Sequence, residues 1–241
     1  SDELGEAAAM FDKMVDRLGA IEQERAVMLS SISHDLRTPL AALRASVEAI
    51  RDGVAPDPDA YLSGMERQIR ALASLVDDLQ LHSRIVSGTI GMTRTHLDLT
   101  ELADEAMETL RPLAETRSVA LLLEADQRVT VEADASQLAR VIRNLLENAI
   151  RHAPDGSVVL VQIGATSKQA TLRVVDQGTG FPPDFRDRAF EPFTRADPAR
   201  DLRTGTAGLG LSIARGIVTA HGGTIGVADG PGGVVEVALP V

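Results

Sequence analysis

Ser33-His34-Asp35-Leu36-Arg37-Thr38-Pro39-Leu40 sets a histidine, a carboxylate, a hydroxyl and a proline close together in one helical run. On a helix His34 and Thr38 are four apart and share a face, and Asp35 and Thr38 are three apart, so the imidazole has a hydroxyl and a carboxylate as neighbours. Pro39 has no amide hydrogen and its ring meets the carbonyl of Asp35, so the helix is expected to bend at this turn. A lone histidine on a polar helix face is usually only solvated. The density of reactive groups argues for chemistry here.

Outward from this stretch the apolar residues step by threes and fours. Phe11, Met14, Leu18, Ile21 and Met28 lead into Ile32, Leu36, Leu40, Leu43, Val47 and Ile50, so a helix is expected from about Leu4 to Arg51. Two successive steps of four about Leu36 make a stutter, which locally unwinds a supercoil. Asp52-Gly53-Val54-Ala55-Pro56-Asp57-Pro58 breaks the run, with Pro58 or Asp59 able to open the next helix. Leu62, Met65, Ile69, Leu72, Val76 and Leu79 then follow a regular coiled-coil seam. Two helices joined by a short loop form an antiparallel hairpin. One hairpin buries too little apolar stripe to stand alone, so a homodimer closing a four-helix bundle is expected.

At 241 residues the chain has room for two domains with separate cores. Its net charge of −11 repels a phosphate backbone and argues against a nucleic-acid partner. The absence of cysteine excludes disulfides, thiolate metal sites and thiol nucleophiles, and is compatible with a cytosolic setting. No apolar run approaches the roughly 18 residues a spanning helix needs, so no membrane contact is expected of this chain. With five Phe, one Tyr and no Trp, the core has to come from aliphatic side chains.

Ser87-Gly88-Thr89 reads as a domain boundary. Beyond it the pattern predicts a strand at Met92–His96, a helix at Leu99–Thr116 with Asp98 and Glu101 as a capping pair, and short strands at Val119–Leu123 and Val129–Val131. A helix at Ala135–His152 follows, then strands at Val158–Ala165 and Ala170–Val175. A loop-dominated segment leads to a helix at Leu209–His221 and a closing strand pair at Thr224–Ala228 and Val234–Leu239. Intermixed strands and helices with antiparallel neighbours indicate an α+β sandwich with helices on one face of a sheet.

Three motifs in this half carry chemistry. Asn144 and Asn148 are four apart on one helix, with Glu147 beside them, and oxygen donors of this kind suit Mg²⁺; two asparagines on a helix also read as a solvated face. Asp176-Gln177-Gly178-Thr179-Gly180 follows a strand directly, so a carboxylate that can accept from an exocyclic amine stands beside glycines that admit a flat base. As a lone motif this is also ordinary turn chemistry. Gly205-Thr206-Ala207-Gly208-Leu209-Gly210-Leu211 opens a helix, where unpaired amides and the helix dipole favour phosphate. It is not a Walker A loop, having no Lys-Ser or Lys-Thr after the glycines, and its order does not fit a dinucleotide-binding βαβ unit. Between the glycine motifs, Phe181–Thr204 carries Arg186, Arg188, Arg195, Arg200 and Arg203 and reads as a lid over a phosphate-bearing ligand.

Together these residues resemble the cytoplasmic part of a bacterial sensor histidine kinase of the HisKA type, joined to an ATPase domain like that of gyrase B. His34–Leu40 resembles the H box, Asn144–Asn148 the N box, Asp176–Gly180 the first glycine box, Phe190-Glu191-Pro192-Phe193 the F box and Gly205–Leu211 the second glycine box. The resemblance implies the end of a HAMP-like signalling helix at 1–20, a dimerisation and phosphotransfer hairpin at 21–88, and an α/β sandwich ATP-binding domain at 89–241. It also implies a parent protein anchored in a bacterial membrane, with this portion in the cytoplasm.

Carried over by position, the resemblance makes His34 the phospho-accepting nucleophile, Asp35 its acid/base neighbour and Thr38 the residue positioning water for dephosphorylation of a response-regulator receiver domain. Asn148 becomes the magnesium ligand, supported by Glu147 and Asn144, and Asp176 the adenine contact, with Gly178 and Gly180 beside it. Arg151 and Arg195 reach phosphate, and Gly205, Gly208, Leu209 and Gly210 line the phosphate loop. Two positions depart from the pattern. Thr206 and Ala207 stand where Gly and a hydroxyl residue are usual, and His152 stands where an aromatic is common beside the base. ATP and Mg²⁺ are the implied cofactors. Two other readings remain: a gyrase-like ATPase leaves His34 unexplained, and a non-catalytic dimeric scaffold draws on Thr206 and Ala207.

Overall fold

The computed structural model describes residue 11 and residues 30–33, 35–125, 127–194 and 208–241. The helix expected before residue 30, the signalling-helix resemblance, His34, Arg195, Arg200, Arg203 and the Gly205-Thr206-Ala207 portion of the last glycine motif lie outside the described residues. The described chain divides into two compact units, one ending at Leu75 and the other made of 76–194 and 208–241.

In the first unit, residues 30–33 and 35–51 are helical and form α1, which continues on both sides of Pro39. Its end is closed by Gly53 at φ +70°, with the amide of Val54 bonded to the carbonyl of Ala49 at 3.0 Å. A glycine in the left-handed region is the usual way to satisfy the last carbonyls of a helix. Helix α2, Pro58–Val86, begins here, and its last three turns belong to the second unit. Its cap is Asp57, whose Oδ1 accepts the amides of Asp59 at 3.1 Å and Ala60 at 3.2 Å. Pro58 takes the first helical position, where its missing amide hydrogen leaves nothing unpaired. Among the described residues no helix is long and apolar enough to cross a membrane.

The second unit is the α/β sandwich. Strands β1 (Thr95–Asp98) and β3 (Thr130–Ala133) form an antiparallel pair. Strands β2 (Ala120–Ala125), β4 (Val158–Ala165), β5 (Gln169–Val175), β6 (Thr224–Val227) and β7 (Val234–Pro240) form a five-stranded sheet in the order β2-β4-β5-β7-β6. Only the β2–β4 pairing is parallel. Alternate residues Val159, Val161, Ile163, Leu172, Val174, Val237 and Leu239 are buried, as a sheet covered on one face requires.

The cover is α3 (Leu99–Thr116), α4 (Ala135–His152) and α5 (Gly210–Ala220). Each buries an apolar stripe: Ala103, Met107, Leu110 and Ala114 on α3, Val141, Ile142, Leu145 and Ala149 on α4, Ile213 and Ile217 on α5. The cap of α3 is Asp98, whose side chain accepts from the amides of Thr100 and Glu101. The first strand lies later than the pattern predicts, at Thr95–Asp98 rather than Met92–His96. The amide of Thr93 goes instead to Asp134 Oδ2 at 2.8 Å, so the chain before Thr95 is held by a side chain and not by a ladder.

Candidate functional site

Helix α4 is the spine of the site. Its cap is Asp134, whose Oδ1 accepts the Gln137 amide at 3.1 Å and the Ser136 hydroxyl at 2.7 Å. Burial opposes ionisation of Asp134, but the Thr93, Ser136 and Gln137 donors outweigh it and hold the carboxyl below its ordinary range. Two bonds tie α4 to α5. The Asn144 amide donates to the carbonyl of Gly210 at 2.9 Å. At the other end the amide of Asp134 donates to Nε2 of buried His221 at 3.0 Å, while Nδ1 of that ring lies 2.8 Å from the carbonyl of Ile217. Nε2 is therefore the acceptor and the proton sits on Nδ1, a neutral imidazole pinning two antiparallel helices together.

The far end of α4 meets the other glycine motif. A side chain at Gly178 would come within 2.5 Å of the carbonyl of His152, so the backbone approaches here only because residue 178 is glycine. The His152 side chain is exposed and that of Arg151 half-buried; the Arg151 carbonyl accepts from Arg117 at 3.2 Å. From Asn144 to His152 is roughly 12 Å along the helix axis. One helix thus touches both glycine motifs at a separation that a base and a polyphosphate joined by a sugar can span.

Asp176 directly follows β5 and is buried. The amides of Gly178 at 2.7 Å and Gly233 at 3.2 Å both bond its Oδ1. Burial raises its carboxyl above the ordinary range, against those two amide bonds. A side chain at 233 would stand 2.1 Å from Oδ2, and one at 232 would stand 2.0 Å from the Asp176 carbonyl. The glycines of the β6–β7 loop therefore keep Oδ2 clear for a donor. Gly180 also rests on this loop, 2.9 Å separating its notional Cβ from the carbonyl of Gly232. Gly232 and Gly233, which pack directly on Asp176, are not named by the sequence analysis; Gly230-Pro231-Gly232-Gly233 before an apolar strand is the signal that could have found them.

At the second glycine motif, Gly208 has φ +65° and its Cβ position lies 3.1 Å from the Phe193 backbone. Leu209 is fully buried and Gly210 starts α5. Glu147 pairs with Arg143 at 3.8 Å. Burial raises the Glu147 carboxyl, with Arg143 and Arg151 pulling it down and Asp78 pushing it up. Asn148 is half-buried one turn past Asn144. In the other unit Asp35 is half-buried and Thr38 exposed on α1. Among the described residues no group of three or more His, Cys, Asp or Glu could hold a metal unaided. The oxygen donors of Asn148 and Glu147 suit a hard cation that keeps several waters and binds beside phosphate, so the donor set fits Mg²⁺ in that role.

A layered sandwich with a half-saturated buried carboxylate at one end of a helix and a glycine-opened helix at the other defines an ATP-binding domain. Residues 133–241 match the Histidine kinase-, DNA gyrase B-, and HSP90-like ATPase family, and residues 24–88 match the His Kinase A (phospho-acceptor) domain. The signal transduction histidine-protein kinase BaeS of Escherichia coli is 34% identical over 100% of this chain and 52% of its own length. The chain thus spans about half of that curated relative. The solved structure of mycobacterial sensor histidine kinase MprB is 31% identical, covers 61% of this chain and 97% of its own, and superposes with a TM-score of 0.54. Histidine kinase ThkA in complex with response regulator protein TrrA shares the fold at 21% identity, with a TM-score of 0.68 over 93% of this chain and 63% of its own. The chain belongs to the sensor histidine kinases.

Proposed function

We propose that the chain is a kinase core which transfers the γ-phosphoryl group of ATP to His34 and from there to an aspartate of a response-regulator receiver domain. The observation that carries the reading is Asp176. Its Oδ1 is held by two backbone amides while Oδ2 is kept clear by glycine, which suits acceptance from the exocyclic amine of adenine. Gly178 and Gly180 border the base, and Gly205, Gly208, Leu209 and Gly210 lead phosphate to the start of α5. Arg151 and Arg195 neutralise phosphate charge. Asn148, with Glu147 and Asn144, would hold Mg²⁺, which supplies charge neutralisation at the terminal phosphates.

In this reading Asp35 orients the His34 ring and takes its proton. The seams of the hairpin leave Leu40 at 53%, Val47 at 48%, Leu62 at 49% and Ile69 at 55% exposure, which supports a second copy completing a four-helix bundle. The assigned roles divide the chain into a signalling helix end at 1–20, the phosphotransfer hairpin at 21–88 and the ATP-binding domain at 89–241. The ThkA–TrrA complex supports a receiver domain as partner, and the sensor-kinase resemblance read in the sequence implies a membrane-anchored parent with this portion in the cytoplasm.

Incubation with γ-labelled ATP should give acid-labile, base-stable label that His34→Gln abolishes while ATP affinity stays nearly unchanged. Label persisting on another residue would sink the assignment. With labelled receiver domain added, Thr38→Ala should slow dephosphorylation and leave self-labelling intact; equal loss of both would make Thr38 structural.

A further inference from the structure

Helix α2 is exposed along most of its length, and its only buried residues are Leu81 and His82. A buried histidine near the end of an otherwise solvated helix needs a reason. Its ring stands edge-on to Phe193, with centroids 6.2 Å apart and planes at 64°. Phe193 has φ +61°, a left-handed backbone that is costly for a bulky side chain and persists only where surrounding contacts impose it. In that conformation its amide donates to the carbonyl of Gly208 at 3.0 Å. Gly208 is followed by buried Leu209 and then by Gly210, whose carbonyl holds Asn144 of α4.

Two neighbours on the same face of α2 make parallel contacts. Asp78, one turn before His82, forms an ion pair with Arg140 of α4. Ile85 occupies the space a side chain at Gly216 of α5 would need. Residues 78, 82 and 85 share one helical face, so two turns of α2 hold three different parts of the second unit.

We propose that His82 is a positioning residue for the phosphate end of the nucleotide site. Its ring holds Phe193 in the strained conformation that fixes Gly208, and through Gly208 the start of α5 against Asn144. Asp176, at the base end, takes no part in this path. The inference rests on the nucleotide site proposed above.

The test compares ATP and adenosine on the full chain. His82→Ala should raise the KM for ATP and weaken its binding about two- to tenfold, the range of one edge-to-face ring contact. Adenosine affinity should stay unchanged, and His82→Phe, which keeps a ring at the contact, should restore ATP binding. Phe193→Ala removes the ring but keeps the Cβ that makes this backbone costly, and should match His82→Ala, with no further loss in the double variant. Unchanged ATP binding in both single variants, equal weakening of ATP and adenosine, or failure of His82→Phe to rescue would overturn the proposal. Failure of the unaltered chain to bind ATP would overturn the site reading and this inference together.

Discussion

Asp134 and Asp176 are the same side chain, both buried, both bonded to backbone amides within one sandwich, and their carboxyls shift in opposite directions. At Asp134 each oxygen has a donor: Thr93 takes Oδ2, while Ser136 and Gln137 share Oδ1. At Asp176 both amides converge on Oδ1, and burial wins. A saturated carboxylate is a finished joint, whereas a half-saturated one in the same setting has lone pairs to offer. The contrast separates a carboxylate that builds the fold from one which, on the proposed function, serves a ligand.

The sharpest way to break the contrast is Asp176→Ala. On the proposed function it removes a charge-assisted contact to the base and should weaken ATP about ten- to hundredfold, read by titration calorimetry. Thermal stability should change little, because the cost of burying an ionised group goes while the Gly178 and Gly233 amides lose their acceptor. A large fall in melting temperature with unchanged ATP affinity would reverse the two roles. Asp134→Ala should do the opposite, costing about 0.5–2 kcal/mol of stability in denaturant unfolding, as helix caps do, with ATP affinity nearly intact.

The smallest effect is the pH dependence. The Asp134 carboxyl is depressed in the folded state, so its contribution is present above the unfolded-state value and is lost as pH falls through the folded one. Asp176 is raised, so its ionised form opposes folding and the opposition fades as pH falls through the raised value. Melting temperature followed from neutral pH downward should fall less steeply in Asp134→Asn than in the unaltered chain. It should fall more steeply in Asp176→Asn.

Much of this was legible in the residues. The bounds of α4 follow from an apolar stripe at 138, 141, 142, 145, 146 and 149, and β4 from unbroken β-branched alternation. The two glycine motifs announced themselves by their place next to a strand end and a helix start. What stayed hidden was made by tertiary contacts. Nothing local in Asp57 distinguishes a cap from a loop residue until Pro58 starts the helix. Thr93 looks like strand, yet its amide is taken by a carboxylate 41 positions away. His82 reads as one polar residue on a coiled-coil helix, and its burial depends on Phe193, distant in the chain and held in a backbone shape no propensity favours. Gly232 and Gly233 pass for a hairpin turn unless the carboxylate beneath them is known.

Strand β7 lies between β5 and β6, although it is the last of the three to be made. On a ribosome, β5 is complete at Val175 and waits for roughly 60 more residues, about 3–12 s at ordinary elongation rates, before residues 234–240 can pair with it. During that interval one edge of β5 is open to any passing strand. Asp176 also lacks the Gly233 amide that holds Oδ1. The Asp176 carboxylate therefore gains its second amide only once Gly233 has been made, and a chain stalled before Gly233 would be marked by an unpaired β5 edge.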